Sequence, residues 1–143
     1  MVATIIAMVF VYDRKDALPM DLSEFQWKNR LLLLFAPDSN HPKFKKLQHD
    51  IAGQPDEVKD RDLVIFEILE QGDSRMDTEA LDRQTADSVR DRFGIGKNEF
   101  TLILVGKDGG VKLKRDDHVK LAHVFELIDS MPMRQNEMRQ RKQ

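Results

Sequence analysis

The chain predicts an α/β fold, a three-layer sandwich whose central mixed sheet of about four strands is flanked by helices. Three observations carry that expectation. Leu31-Leu32-Leu33-Leu34-Phe35 is a continuous apolar run closed by Pro37, and unbroken hydrophobicity marks a strand covered on both faces. Two more apolar runs, residues 63–69 and 100–105, are separated from it and from each other by helix-period segments. Lys107-Asp108-Gly109-Gly110 then leads into the alternating Val111-Lys112-Leu113-Lys114. Such a turn, with glycines to supply positive φ, signals a hairpin into an edge strand whose outward lysines blunt further pairing.

The elements between the strands follow in order. Pro42 suits a helix's first turn, and Phe44, Leu47 and Ile51 recur at helical spacing until Gly53 and Pro55 end the segment. Thr78 is expected to cap the next helix. Leu81, Thr85, Ala86, Val89 and Phe93 form its inner face, and Gly94 stops it. Asp82, Arg83, Asp87, Arg90, Asp91 and Arg92 form its solvated, salt-bridged face. Leu121, Val124, Phe125 and Ile128 mark a last helix closed near Pro132. The order is strand, helix, strand, helix, strand, hairpin strand, helix, with no internal repeat and no linker.

Composition bounds the function. At 143 residues the chain is one ordinary domain. Its 41% hydrophobic and 34% charged residues read as globular. A net charge of −2 gives no bulk electrostatic case for nucleic acid or an anionic membrane. The absence of Cys excludes disulfides, thiolate metal sites and thiol nucleophiles together.

Residues 1–20 are read as an N-terminal apolar segment, residues 21–138 as the domain and residues 139–143 as a basic tail. Residues 1–12 are almost wholly apolar, but a bilayer span takes about 20 residues, so no stable membrane span is expected. The run resembles the apolar core of an export signal, though no basic residue precedes it and no small-x-small cleavage site follows. The reading leans to a signal remnant and a periplasmic or secreted protein. The alternative is a strand or helix packed on the domain of a cytoplasmic one. Over residues 131–143, Arg134, Arg139, Arg141 and Lys142 stand against Glu137 alone. Without interleaved aromatics they read as a solvated end, or a short helix with Met133 and Met138 inward.

Three stretches carry a resemblance. Trp27-Lys28-Asn29-Arg30 leading into the leucine run and Pro37, residues 100–112, and residues 128–134 with Met131-Pro132-Met133 are similar to the thioredoxin-like DUDES domain family. That family, of unknown function, is seen alone in bacterial proteins and repeated in secreted vertebrate matrix and sushi-repeat proteins. The similarity spans residues 22–138. It implies a thioredoxin-like, peroxiredoxin-like fold and frequent export, and it carries no reaction onto particular residues. Where redox relatives of the fold hold a Cys pair or a peroxidatic Cys after the first strand, this chain has Asp38-Ser39-Asn40-His41. Where a thioredoxin places a cis-proline before its third strand, this chain runs Gly94 to Phe100 with no proline. Thiol-disulfide and thiol-peroxidase chemistry are excluded.

What remains at that position is recognition. The start of the Pro42 helix exposes amides and the positive end of its dipole. Arg30 beneath it and Lys43 beside it, together with Asp38, Ser39, Asn40 and His41, form the candidate ligand surface for a small anion or a protein partner. No catalytic residue, metal ligand or cofactor is assigned. Ser39 and His41 stand two apart, a spacing that rarely aligns a nucleophile with its base. A cysteine-independent transferase or hydrolase at this pocket is the alternative to a non-catalytic binding module. His118 and His123 are five apart and do not share a helical face as zinc-binding pairs do. Trp27 is expected to pack over the sheet edge.

Overall fold

The computed structural model describes residues 21–142. The expectations for residues 1–20 lie outside the described residues.

The strands are β1 (Arg30–Ala36), β2 (Leu63–Leu69), β3 (Ser74–Met76), β4 (Glu79–Leu81), β5 (Thr101–Val105) and β6 (Val111–Arg115). They form one sheet in the order β4-β3-β2-β1-β5-β6. β1 and β2 run parallel, from Arg30 opposite Leu63 to Ala36 opposite Leu69. All other pairings are antiparallel. The crossover between the parallel strands is built from α1 (Pro42–Ala52) and α2 (Pro55–Asp60). α3 (Arg83–Phe93) joins β4 to β5, and α4 (Leu121–Asp129) and α5 (Pro132–Arg141) complete the chain.

The apolar run of β1 is continuous because each face of the sheet is covered. Leu32, Leu34 and Ala36 point to one side and pack with Phe44 and Leu47 of α1 and with Leu121, Val124, Phe125 and Ile128 of α4. Leu31, Leu33 and Phe35 point to the other, against Ala86 and Val89 of α3 and Leu22 of a short 3₁₀ turn, Leu22–Phe25. Every residue of β1 is buried. Gly109, at φ 86°, turns the chain from β5 into β6 as the Gly-Gly pair predicts.

Among the described residues the sheet has six strands where about four were expected. The additional hairpin, β3 and β4, consists of three-residue strands with no apolar alternation to betray them. Thr78 sits in its turn and does not cap a helix. The cap of α3 is Asp82, whose carboxylate accepts from the Thr85 amide at 2.7 Å. Arg90, expected on the solvated face, is buried and donates to the Gly96 carbonyl. Trp27 does not lie over the sheet edge; it is 62% exposed.

The C-terminus takes the short-helix alternative: α5 continues through Arg141, with residues 139–142 exposed. Met133 points outward at 40% exposure, and the one buried residue of the helix is Arg134. A helix with so little apolar surface gains little from burial, and ion pairs hold it instead. Arg134 donates to Asp60 and Asp129, Arg61 to Asp129 and Glu57, and Arg141 to Asp60. Glu137 receives both terminal nitrogens of Arg30 at 3.2 and 3.0 Å, and Lys107 at 2.9 Å.

This network makes stability pH-dependent. Hydrogen bonds from Arg134 hold the Asp60 carboxyl below its ordinary range. Burial pushes Asp129 and Glu137 up, but bonds from Arg61 and Arg134, and from Arg30 and Lys107, outweigh it and leave both lowered. A carboxyl depressed in the folded state contributes stability that is full above its unfolded pKa of about 4. That stability is lost as pH falls through the folded value. The melting temperature is therefore expected to drop as pH is lowered below about 4, and less steeply in Glu137→Gln than in the parent. Equal slopes for both proteins would remove Glu137 from the account.

Candidate functional site

β1 ends at Ala36, and Pro37 prevents its continuation. Asp38 folds the next residues into a turn, its carboxylate accepting from the Asn40 amide at 2.8 Å. Ser39 and Asn40 are exposed on that turn. His41 follows at the cap position of α1 with extended backbone, and Pro42 opens the helix. The first intrahelical bond runs from the Lys45 amide to the His41 carbonyl at 2.9 Å. Among the described residues no side chain caps the start of α1, so the Lys43 and Phe44 amides are the orphan donors that any helix start leaves.

His41 is a packing residue here. Its ring lies parallel to Phe100, at 8° and 5.5 Å between centroids, and Nδ1 is buried with no hydrogen-bond partner among the described residues. No hydrogen bond joins it to Ser39 among those residues, so the two do not form a nucleophile–base pair. Lys43 reaches across to the β6–α4 loop, donating to the Asp116 carbonyl at 3.2 Å and pairing with Asp117 at 3.3 Å. The His118 amide and then Lys43 keep the Asp117 carboxyl below its usual range. A cavity of about 530 Å³ adjoins, bounded by Glu99, Phe100, Thr101, Lys114, Arg115 and Asp116.

Asp38, Ser39, Asn40, His41 and Lys43 thus come together, and Arg30 does not join them. Arg30 begins β1 while the helix start follows its end, a separation of about 20 Å for seven residues of strand. Its guanidinium is engaged by Glu137 and by the Arg61 carbonyl. The expectation that Arg30 lies beneath the helix start is corrected on that ground.

A second concavity was not foreseen. A groove of about 550 Å³ runs between α1, α2 and β2, with an apolar floor of Ile51, Val58, Leu63 and Ile65. At its end Glu67, buried in the middle of β2, accepts from Arg75 at 2.8 and 2.7 Å and from Gln48 at 3.1 Å. The signal in the sequence was the lone carboxylate inside the run Leu63–Leu69.

Residues 21–137 match the family described as Domain of unknown function (DUF4174). The chain belongs to that family. A relative of this DUF4174 chain is coiled-coil domain-containing protein 80 of Danio rerio, 26% identical over 88% of the chain. The chain spans only 16% of that protein's length. Among solved structures, it is similar to the reduced 2-Cys peroxiredoxin of Plasmodium vivax, with a TM-score of 0.61 at 12% identity. That alignment covers 82% of this chain and 85% of the other. Thioredoxin peroxidase I of Plasmodium yoelii superposes with a TM-score of 0.59 at 17% identity, covering 82% and 80%. The DUF4174 domain here thus has a thioredoxin-like, peroxiredoxin-like fold, and its chain contains no Cys.

Proposed function

We propose that this domain is a non-catalytic binding module, a stand-alone bacterial form acting in the envelope or outside the cell, whose ligand surface is the start of α1. The observation that carries this is the uncapped helix start behind a turn that satisfies its own polar groups. Orphan amides at a helix start, at the positive end of the dipole, accept an anionic group with no further machinery. Lys43 borders them, and its partner Asp117 is exposed enough to yield to a bound anion. His41 is stacked on Phe100 rather than poised beside Ser39, which favours recognition over turnover. The apolar residues 1–12 support the export reading.

The test is thermal denaturation of the full chain with sulfate, phosphate and acetate. An anion bound only by the folded state stabilises it by about 1.4 kcal/mol at ten times its Kd. In His41→Asp an intramolecular carboxylate reaches the same amides, as a standard helix cap does. The response to the anion is expected to disappear in that variant. An unchanged response in His41→Asp, or none from any of the three anions with the parent, contradicts the site.

A further inference from the structure

The opposite end of β1 carries a second surface, away from the start of α1. Trp27 has a φ of 70°, a left-handed conformation that bulky residues rarely adopt. Its neighbours impose it. The Trp27 amide donates to the Lys107 carbonyl, the Lys28 and Asn29 amides donate back to Phe25, and Gln26 donates to the Asp108 carbonyl. Strain of this kind costs about 1–3 kcal/mol, and here it displays an indole to solvent. Across from it, Met133 is also exposed and Met131 is half-buried.

Between these side chains lies a cavity of about 360 Å³ whose remaining lining includes Arg30, Lys107 and Lys112. Glu137 and Asp62, which neutralise Arg30 and Lys107, lie outside that lining; only Asp108, paired with Lys112, faces the cavity. Arg30 is 1% exposed, and its Nε has no hydrogen-bond partner among the described residues. A buried donor left unpaired costs about 1–3 kcal/mol, and this one belongs to a side chain that lines the cavity. Exposed Trp and Met beside Arg are also the residue types in which interface anchors are enriched, and Met adapts its shape to varied partners.

We propose that this cavity docks a protein partner through an acidic amphipathic segment. An apolar side chain of the segment lies between Trp27 and Met133, and a neighbouring carboxylate faces Arg30, Lys107 and Lys112. The cavity is at the small end for a self-sufficient small-molecule site, while its apolar walls continue onto the open surface, as a peptide needs. The proposal stands independently of the α1 site, about 20 Å away along β1.

Trp27 is the sole tryptophan of the chain, so its fluorescence reports on the cavity directly. The experiment pans a random peptide display library, of about a dozen residues per peptide, against the full chain with counter-selection on Trp27→Ser. Recovered peptides are expected to pair an aromatic or aliphatic residue with Asp or Glu, and synthetic versions to blue-shift the Trp27 emission. Lys112→Glu, or replacing the peptide's acids with amides, is expected to weaken binding about tenfold. Met133→Ser, an exposed change that leaves the ion pairs intact, should weaken it as well. Failure to recover peptides that prefer the parent, or recovery of peptides without acids, overturns the proposal. So does self-association in sedimentation that Trp27→Ser abolishes, which would make a second copy the occupant.

Discussion

Replacing Glu137 with alanine is expected to lower the unfolding free energy by about 3–5 kcal/mol, because it leaves buried cations without their counter-charge. Arg30 is 1% exposed and Lys107 is 8% exposed. Glu137 bridges both, closing α5 onto the N-terminal end of the sheet. Lys107 keeps Asp62 after the change, at 2.8 Å, whereas among the described residues Arg30 keeps only the Arg61 carbonyl. The loss should therefore be felt mainly through Arg30, and the double variant Arg30→Met/Glu137→Met should recover most of it. Replacing a buried ion pair with apolar groups of similar volume is often neutral or better. Urea denaturation of the parent, Arg30→Met, Glu137→Met and the double variant completes the cycle. A coupling near zero would mean that Arg30 and Glu137 do not act together.

The second large effect is expected from Phe66→Ala, at about 3–5 kcal/mol. Phe66 is fully buried in β2 on the α3 side of the sheet, and its ring meets Phe25 edge-on at 5.8 Å. The change opens a cavity beneath the 3₁₀ turn that delivers the chain to Trp27, and it removes an aromatic pair. A domain of this size has about 5–15 kcal/mol in all, so the variant is expected to be folded but markedly less resistant to urea. A loss below about 1 kcal/mol would mean that this face of the sheet is not a packed core.

Much of the architecture was legible because burial on both faces leaves an unmistakable pattern. The runs containing Leu31–Leu34, Leu63–Leu69 and Thr101–Val105 could hardly be anything but interior strands. The Gly109-Gly110 turn announced β6. β3 and β4 were not legible, since their short strands are held by pairing with β2, a contact the local sequence does not encode. α5 was legible as a short helix, but its anchoring was not, for a related reason. Its apolar face is negligible, and what fixes it are Asp60, Lys107 and Arg30, distant in sequence, together with Asp129. Charged letters near a terminus look solvated until their partners are placed.

The candidate site divides in the same way. Asp38 to Lys43 are contiguous, so their meeting at the end of β1 followed from strand and helix boundaries alone. Arg30 was attached to them because it borders the same strand, but strand length puts it at the far end. There it belongs with Trp27 and Lys107, a grouping set by how α5 and the β5–β6 hairpin come together. The exposure of Trp27 was hidden because it depends on a left-handed backbone that tryptophan does not itself prefer.

Recognition of an anionic group at the start of α1 is read out by following the backbone amide resonances of the full chain while sulfate is added. Saturable shifts are expected at the Lys43 and Phe44 amides, with smaller ones at Ser39 and Asn40, and no such response in His41→Asp. Shifts confined to other parts of the chain, or none at all, would contradict it.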